Sequence, residues 1–109
     1  MKQINLTIGL NDKDTMKQEI STEAARVIIE IACYEHNLDV TIVPVRGIYT
    51  MKNDVMTSSI KVTENSFRCE FYGANKADVV AVAKELCKDL NQETIAYAEI
   101  EIESEFISA

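Results

Sequence analysis

Cys33 and His36 have the residue types of a nucleophile and its base, and they stand three positions apart. On a helix that spacing puts both on one face. A thiol reacts as the thiolate, which needs nearby positive charge or a polar opening. The surrounding run, IACYEH, is apolar around the cysteine, and no segment supplies a recognisable oxyanion hole. Cys33 is therefore expected to be a buried, inert thiol and His36 a helix-end residue. Cys69 and Cys87 complete three widely spaced cysteines, and there is one histidine. No close-spaced pair suggests a zinc site, and an odd cysteine count inside apolar patterns favours free thiols over disulfides. The glycines, Gly9, Gly47 and Gly73, are too scattered for a phosphate-cradling loop. No catalytic residue, metal ligand or cofactor-binding residue is expected, and no cofactor.

The sharpest chemical feature is a row of acids. Residues 94 to 106 read TIAYAEIEIESEF. Ala96, Ala98, Ile100, Ile102 and Phe106 share one parity; Glu99, Glu101, Glu103 and Glu105 share the other. A period of two predicts a β-strand with its apolar side, including Ile100, in the core. The glutamates would then stand about 6.8 Å apart, twice the strand rise of about 3.4 Å. That step is comparable to the phosphate spacing of a nucleic acid. Such a row could occupy a basic groove through charge-assisted hydrogen bonds. The chain carries a net charge of -7; residues 89–109 hold six acids and no base, so -7 minus -6 leaves -1 for the rest. A solvated, anti-aggregation edge strand predicts the same pattern. Tyr49, Met51 and Met56 would add the apolar contacts that an interface needs. The candidate protein-binding residues are thus Glu99, Glu101, Glu103, Glu105, Tyr49, Met51 and Met56.

These residues must be held by a scaffold. At 109 residues and 47% apolar composition the chain fits one domain, spanning 1–109, with a modest core. Ile4, Leu6, Ile8 and Leu10 alternate as a first strand, whose opposite side, Asn5, Thr7 and Gly9, is small enough for close approach. Ser21 caps a helix from Thr22, with a stripe of Ala24, Val27, Ile28, Ile31 and Leu38 widened by Ala25, Ile29 and Ala32. Asn37 suits a left-handed cap. Residues 40–49 form a second strand, where Pro44 demands an edge or a bulge. A long polar connection over 51–59 follows, then Ile60 and Val62 as a short strand or an extended hairpin arm, and a turn over 63–66. Phe67, Cys69 and Phe71 mark the third main strand. Asn75 caps a second helix over 76–90, buried through Val79, Val82, Ala83, Leu86, Cys87 and Leu90. The acidic strand closes the chain.

Strand, helix, strand, strand, helix, strand gives an α+β, ferredoxin-like βαββαβ fold: a four-stranded antiparallel sheet with both helices on one face. The spatial order is fourth, first, third, second. Proteins that read RNA with this topology stack bases on sheet aromatics ringed by positive charge. Here the aromatic platform is missing and the neighbouring strand is acidic, so no direct nucleic-acid binding is expected. No run of eighteen apolar residues and no signal-peptide pattern occur, which predicts a cytoplasmic protein without membrane contact. The uncovered sheet face suits a homodimer, with the glutamates at the rim or meeting Arg46, Lys61 and Arg68 of a second copy.

The segments IGLNDKDTMKQEIS and FYGANKADVVAVAKELCKDLNQE resemble small acidic ferredoxin-like proteins of phages and mobile elements of Gram-positive bacteria. The resemblance covers most of the chain and brings no functional motif with it. It implies a class that includes inhibitors of host defence nucleases, among them anti-CRISPR proteins. The expected function is a non-enzymatic protein-binding module, most concretely an acidic inhibitor or nucleic-acid-mimicking decoy of a basic protein. The alternative is a small ligand-binding or enzymatic domain with a cleft near Arg46, Tyr49 and Arg68.

Overall fold

The computed structural model describes residues 1–52 and 59–109. In order they form β1 (Lys2–Gly9), α1 (Thr22–Glu35), β2 (Thr41–Lys52), β3 (Ser59–Tyr72), α2 (Lys76–Asp89) and β4 (Ala96–Glu101). The strands make one antiparallel sheet in the order β2-β3-β1-β4, with both helices on one face. This is the ferredoxin-like arrangement that the element order dictates. β1 and β3 are central and supply Ile4, Leu6, Ile8, Phe67, Cys69 and Phe71 to the core. Each such aliphatic or aromatic side chain, fully buried, stabilises the fold by about 1.5–3 kcal/mol before entropy is counted.

Helix ends follow local chemistry. The Ser21 side chain accepts from the Ala24 N–H at 3.0 Å, and Asn75 accepts from Ala77 at 2.8 Å. Asn37 and Asn91 end the two helices with φ of 53° and 47°, the left-handed conformation that asparagine tolerates. On α2 the buried residues are Val79, Val82 and Leu86, as the periodicity requires. On α1 the expected stripe is rotated. Ala25, Ile29, Ala32 and Cys33 are buried, while Val27 and Ile31 are exposed. The helix is apolar on most sides, so several stripes were consistent with the sequence; the one that faces the shared core and α2 is the one realised.

Two strand expectations are also corrected. β3 is one fourteen-residue strand, so the expected turn over 63–66 is extended and paired with β2. β4 stops at Glu101, and its parity is opposite to expectation. Tyr97 lies across from Leu6, and Glu99 across from Ile4, so these face the helices. Ala98 pairs with Asn5 and Ile100 with Gln3, which puts the Ala/Ile stripe on the uncovered face, with Ile100 46% exposed. A one-residue choice of register flips every side chain. Here Tyr97 and Ile95 pack against the core, and Lys76 of α2 lies 5.4 Å over the Tyr97 ring. Burying those two larger side chains outweighs burying two alanines and one isoleucine. Among the described residues no helix is long and apolar enough to cross a membrane.

Candidate functional site

At the Gly9 end of the central strands the chain gathers polar groups from four segments. Asn11, Asp12, Lys13, Met16, Tyr49, Glu64, Gln92, Glu93 and Thr94 line a cleft of about 260 Å³. The segment after β1 and the segment after α2 form its rim and lock each other. Lys13 N–H donates to the Asn91 carbonyl at 3.0 Å, and the Gln92 amide donates to the Asn11 carbonyl at 2.7 Å. Asn91 Nδ2 donates to Asp12 at 2.8 Å and to Asp14 at 2.9 Å. Asp12 also accepts the backbone N–H of Asp14 and Thr15, an Asx turn. These bonds, that of Asn91 first, hold the Asp12 carboxyl below its usual pKa.

Glu64 sits on the open face of the sheet, directly across from Gly47 on β2. Its Oε2 accepts the Asn11 N–H at 3.0 Å. On the β1 side its carboxylate lies over Gly9, where an ideal Cβ would come within 2.5 Å of Cδ and 2.6 Å of Oε2. Tyr49 is diagonal to Glu64 on the same face, a separation that long side chains bridge. Burial first, then the charge of Glu64 and a hydrogen bond to it, raise the Tyr49 pKa. The phenol is thus kept protonated beside the Glu64 carboxyl group. The cleft carries three carboxylates, Asp12, Glu64 and Glu93, against one ammonium, Lys13. It therefore favours a cation. A larger hollow of about 510 Å³ lies beside α1 and β2, but its Arg26 and Glu30 are already paired with each other.

The residues singled out from sequence are scattered. Tyr49 enters the cleft. Met51 lies in β2, and Met56 lies outside the described residues. Glu99 pairs with Lys2 at 3.6 Å and accepts from the Tyr97 hydroxyl; Glu101 takes the N-terminal ammonium at 3.1 Å. Glu103 and Glu105 are exposed beyond the end of β4, so the four acids do not form a row on one strand. Of the alternative cleft, Arg68 is spent on Glu70 at 3.0 Å, and Arg46 falls on the other face of the sheet, bonded to Asn65. The Cys33–His36 pair is absent: Cys33 is buried, with its pKa pushed up to about 11, and His36 meets Glu85 at 2.9 Å. Among the described residues no group of three or more His, Cys, Asp or Glu could hold a metal ion.

Glu64, Asn11, Asp12, Gln92 and Thr94 were not singled out from the sequence. Glu64 looked like turn chemistry, Asn11 and Asp12 like loop, and Thr94 like the start of the acidic strand. One signal was available: Gly9 and Gly47 interrupt strand patterns where no turn needs them, which marks close approach by another group.

No protein-family model matches the chain, and no curated protein matches it. Solved structures do. A phage SAM lyase in complex with S-methyl-5'-thioadenosine is 26% identical, at a TM-score of 0.63, over 92% of this chain and 80% of that one. A phage SAM lyase in the apo state is 22% identical, at 0.65, over 98% and 92%. The divalent cation tolerance protein CutA from Archaeoglobus fulgidus is 16% identical, at 0.55, over 97% and 88%. The ferredoxin-like fold is thus shared with small phage and prokaryotic proteins. The first likeness overturns two expectations, the non-enzymatic inhibitor or decoy and the absence of enzymatic activity. A chain similar over nearly its whole length to a ligand-bound enzyme fits the alternative, a small-molecule cleft. The physical reason for the error lies in β4, whose acids are tied to the N-terminal segment or spread along the tail.

Proposed function

We propose that this chain is an enzyme acting on S-adenosylmethionine (SAM), a lyase that breaks a carbon–sulfur bond of the sulfonium and yields S-methyl-5'-thioadenosine. The observation that carries the proposal is an acidic cleft, on a fold 26% identical to a phage SAM lyase that binds this thioether. The chemistry of the substrate suits it. SAM carries a permanent positive charge on sulfur and a second on its ammonium. When the bond from sulfur to the four-carbon fragment breaks, the electron pair stays on sulfur and the product is a neutral thioether. A lyase adds no water, so the fragment completes its own valence, by losing a proton from the adjacent carbon or by internal attack of its carboxylate.

An acidic cleft holds the cation and has no electrostatic grip on the neutral thioether, which favours release. Glu64 is the group assigned to the positive charge. Its second partner, the protonated Tyr49, can donate to a substrate carboxylate or carbonyl from the same face. The rim bonds of Asn91 and Gln92 hold Asp12 and Asn11 in place before ligand arrives, which limits the ordering cost of binding.

The test is direct. Purified protein is incubated with SAM, and the thioether is followed by liquid chromatography with mass spectrometry. Steady formation that scales with protein and falls by about 100-fold or more in E64Q is expected. No product, together with no binding of either compound by calorimetry, overturns the proposal.

A further inference from the structure

Two of the three glycines of this chain flank one carboxylate. Gly47 lies directly across from Glu64 on β2, and Gly9 lies beneath the Glu64 carboxylate on β1. Neither has a left-handed φ, so neither is required by backbone conformation. Glycine within a strand weakens it, because it loses more freedom on folding and brings no side chain to pack. What these positions give in return is space. At Gly47 a Cβ would meet nothing nearer than the Ser66 hydroxyl at 3.9 Å, so the β2 side is open. At Gly9 the space is filled by the Glu64 carboxylate itself, which sits there while the neighbouring Asn11 N–H bonds its Oε2. A side chain at position 9 would evict it. The obstacle is the far end of a flexible side chain, so the strand can accept a methyl group while the acid swings away.

We propose that Gly9 is a specificity-determining positioning residue. It seats the Glu64 carboxylate flat on the sheet, and that seat makes the cleft prefer a sulfonium cation over the neutral thioether. This deepens the SAM reading and rests on it. Gly9 touches no ligand; it acts through Glu64. A carboxylate pinned by a backbone N–H and a bare glycine presents fixed charge, which discriminates better than a mobile one because no ordering is lost on binding.

The experiment compares wild type, G9A, E64Q and G9A/E64Q. Two readouts are taken for each, KM for SAM and the calorimetric Kd for S-methyl-5'-thioadenosine, with a melting curve. The expected result for G9A is a melting temperature at or above wild type, KM for SAM raised on the order of tenfold, and a thioether Kd within about twofold, as loss of one charge-assisted contact gives. E64Q should shift the same ratio, and G9A should add little in that background, because both changes remove one interaction. Equal loss of both ligands in G9A, or an unchanged ratio, overturns the role of Gly9 while wild-type turnover leaves the SAM reading standing. Wild type that neither binds nor converts SAM removes both. If G9A alone does not fold, G9A/E64D makes the same comparison, since the shorter acid vacates the space; a wild-type ratio there overturns the proposal.

Discussion

Glu64 and the glutamates of β4 and its tail are the same residue in two settings. Glu64 lies over a bare glycine, accepts a backbone N–H from Asn11 and faces a raised-pKa tyrosine. Glu99 and Glu101 neutralise Lys2 and the N-terminal ammonium at an exposed edge, and Glu103 and Glu105 extend past the sheet. Sequence makes the C-terminal row conspicuous because its acids are periodic. Structure gives weight to the isolated one, because three other segments converge on it. Periodicity reports which side of a strand meets water; convergence reports where a charge has been given a fixed position. Surface pairs like those of Glu99 and Glu101 lie in high dielectric and are screened by salt, so they contribute little.

The two groups of acids should differ most in turnover. E64Q should lower thioether formation from SAM by about 100-fold or more, the scale of losing a charged group from a preorganised site, while its melting temperature stays near wild type. Equal turnover would place Glu64 with the β4 acids as a bystander. The next effect is on stability and contrasts a central strand with an edge. Leu6→Ala, at a side chain that is 0% exposed, should cost about 2–5 kcal/mol in urea denaturation. Ile100→Ala, at a residue 46% exposed on the open face, should cost under about 1 kcal/mol. A large Ile100 effect would restore the opposite parity for β4.

A smaller effect comes from the buried thiols. Burial pushes Cys33 to about 11 and Cys69 to about 12, from 9.0 when unfolded. The unfolded chain then binds fewer protons than the folded one above pH 9, so stability should fall as pH rises from about 9 towards 12. Denaturation midpoints at pH 8 and pH 10 check the sign, and replacing Cys69 with Ala should flatten the slope. The smallest effect is expected at the tail. E101Q/E103Q should leave turnover within about twofold and stability within about 0.5 kcal/mol, as for surface substitutions generally. A large loss of turnover would bring the C-terminal acids into the site.

Much of the fold was legible without coordinates. Alternation in Ile4–Leu10 and Phe67–Phe71, the caps at Ser21 and Asn75 and the order of elements are local or periodic signals, and each element realises them. Three features were not legible. The buried stripe of α1 depended on which of its several apolar sides met the core. The parity of β4 depended on Tyr97 docking under Lys76. The cleft depended on Asn11, Tyr49, Glu64 and Gln92, which are far apart along the chain, meeting at one end of the sheet. Hydrophobic period is set by neighbours a few positions away, so the sequence carries it directly. Sidedness and convergence are set by the registers of β1 with β3 and β4, and those exist only once the strands have paired. Of the site, Tyr49 and a small-sided face at Gly9 could be read from the residues alone; the tertiary structure made Gly9 the floor beneath a carboxylate, because strand pairing alone brings Gly9 and Glu64 together.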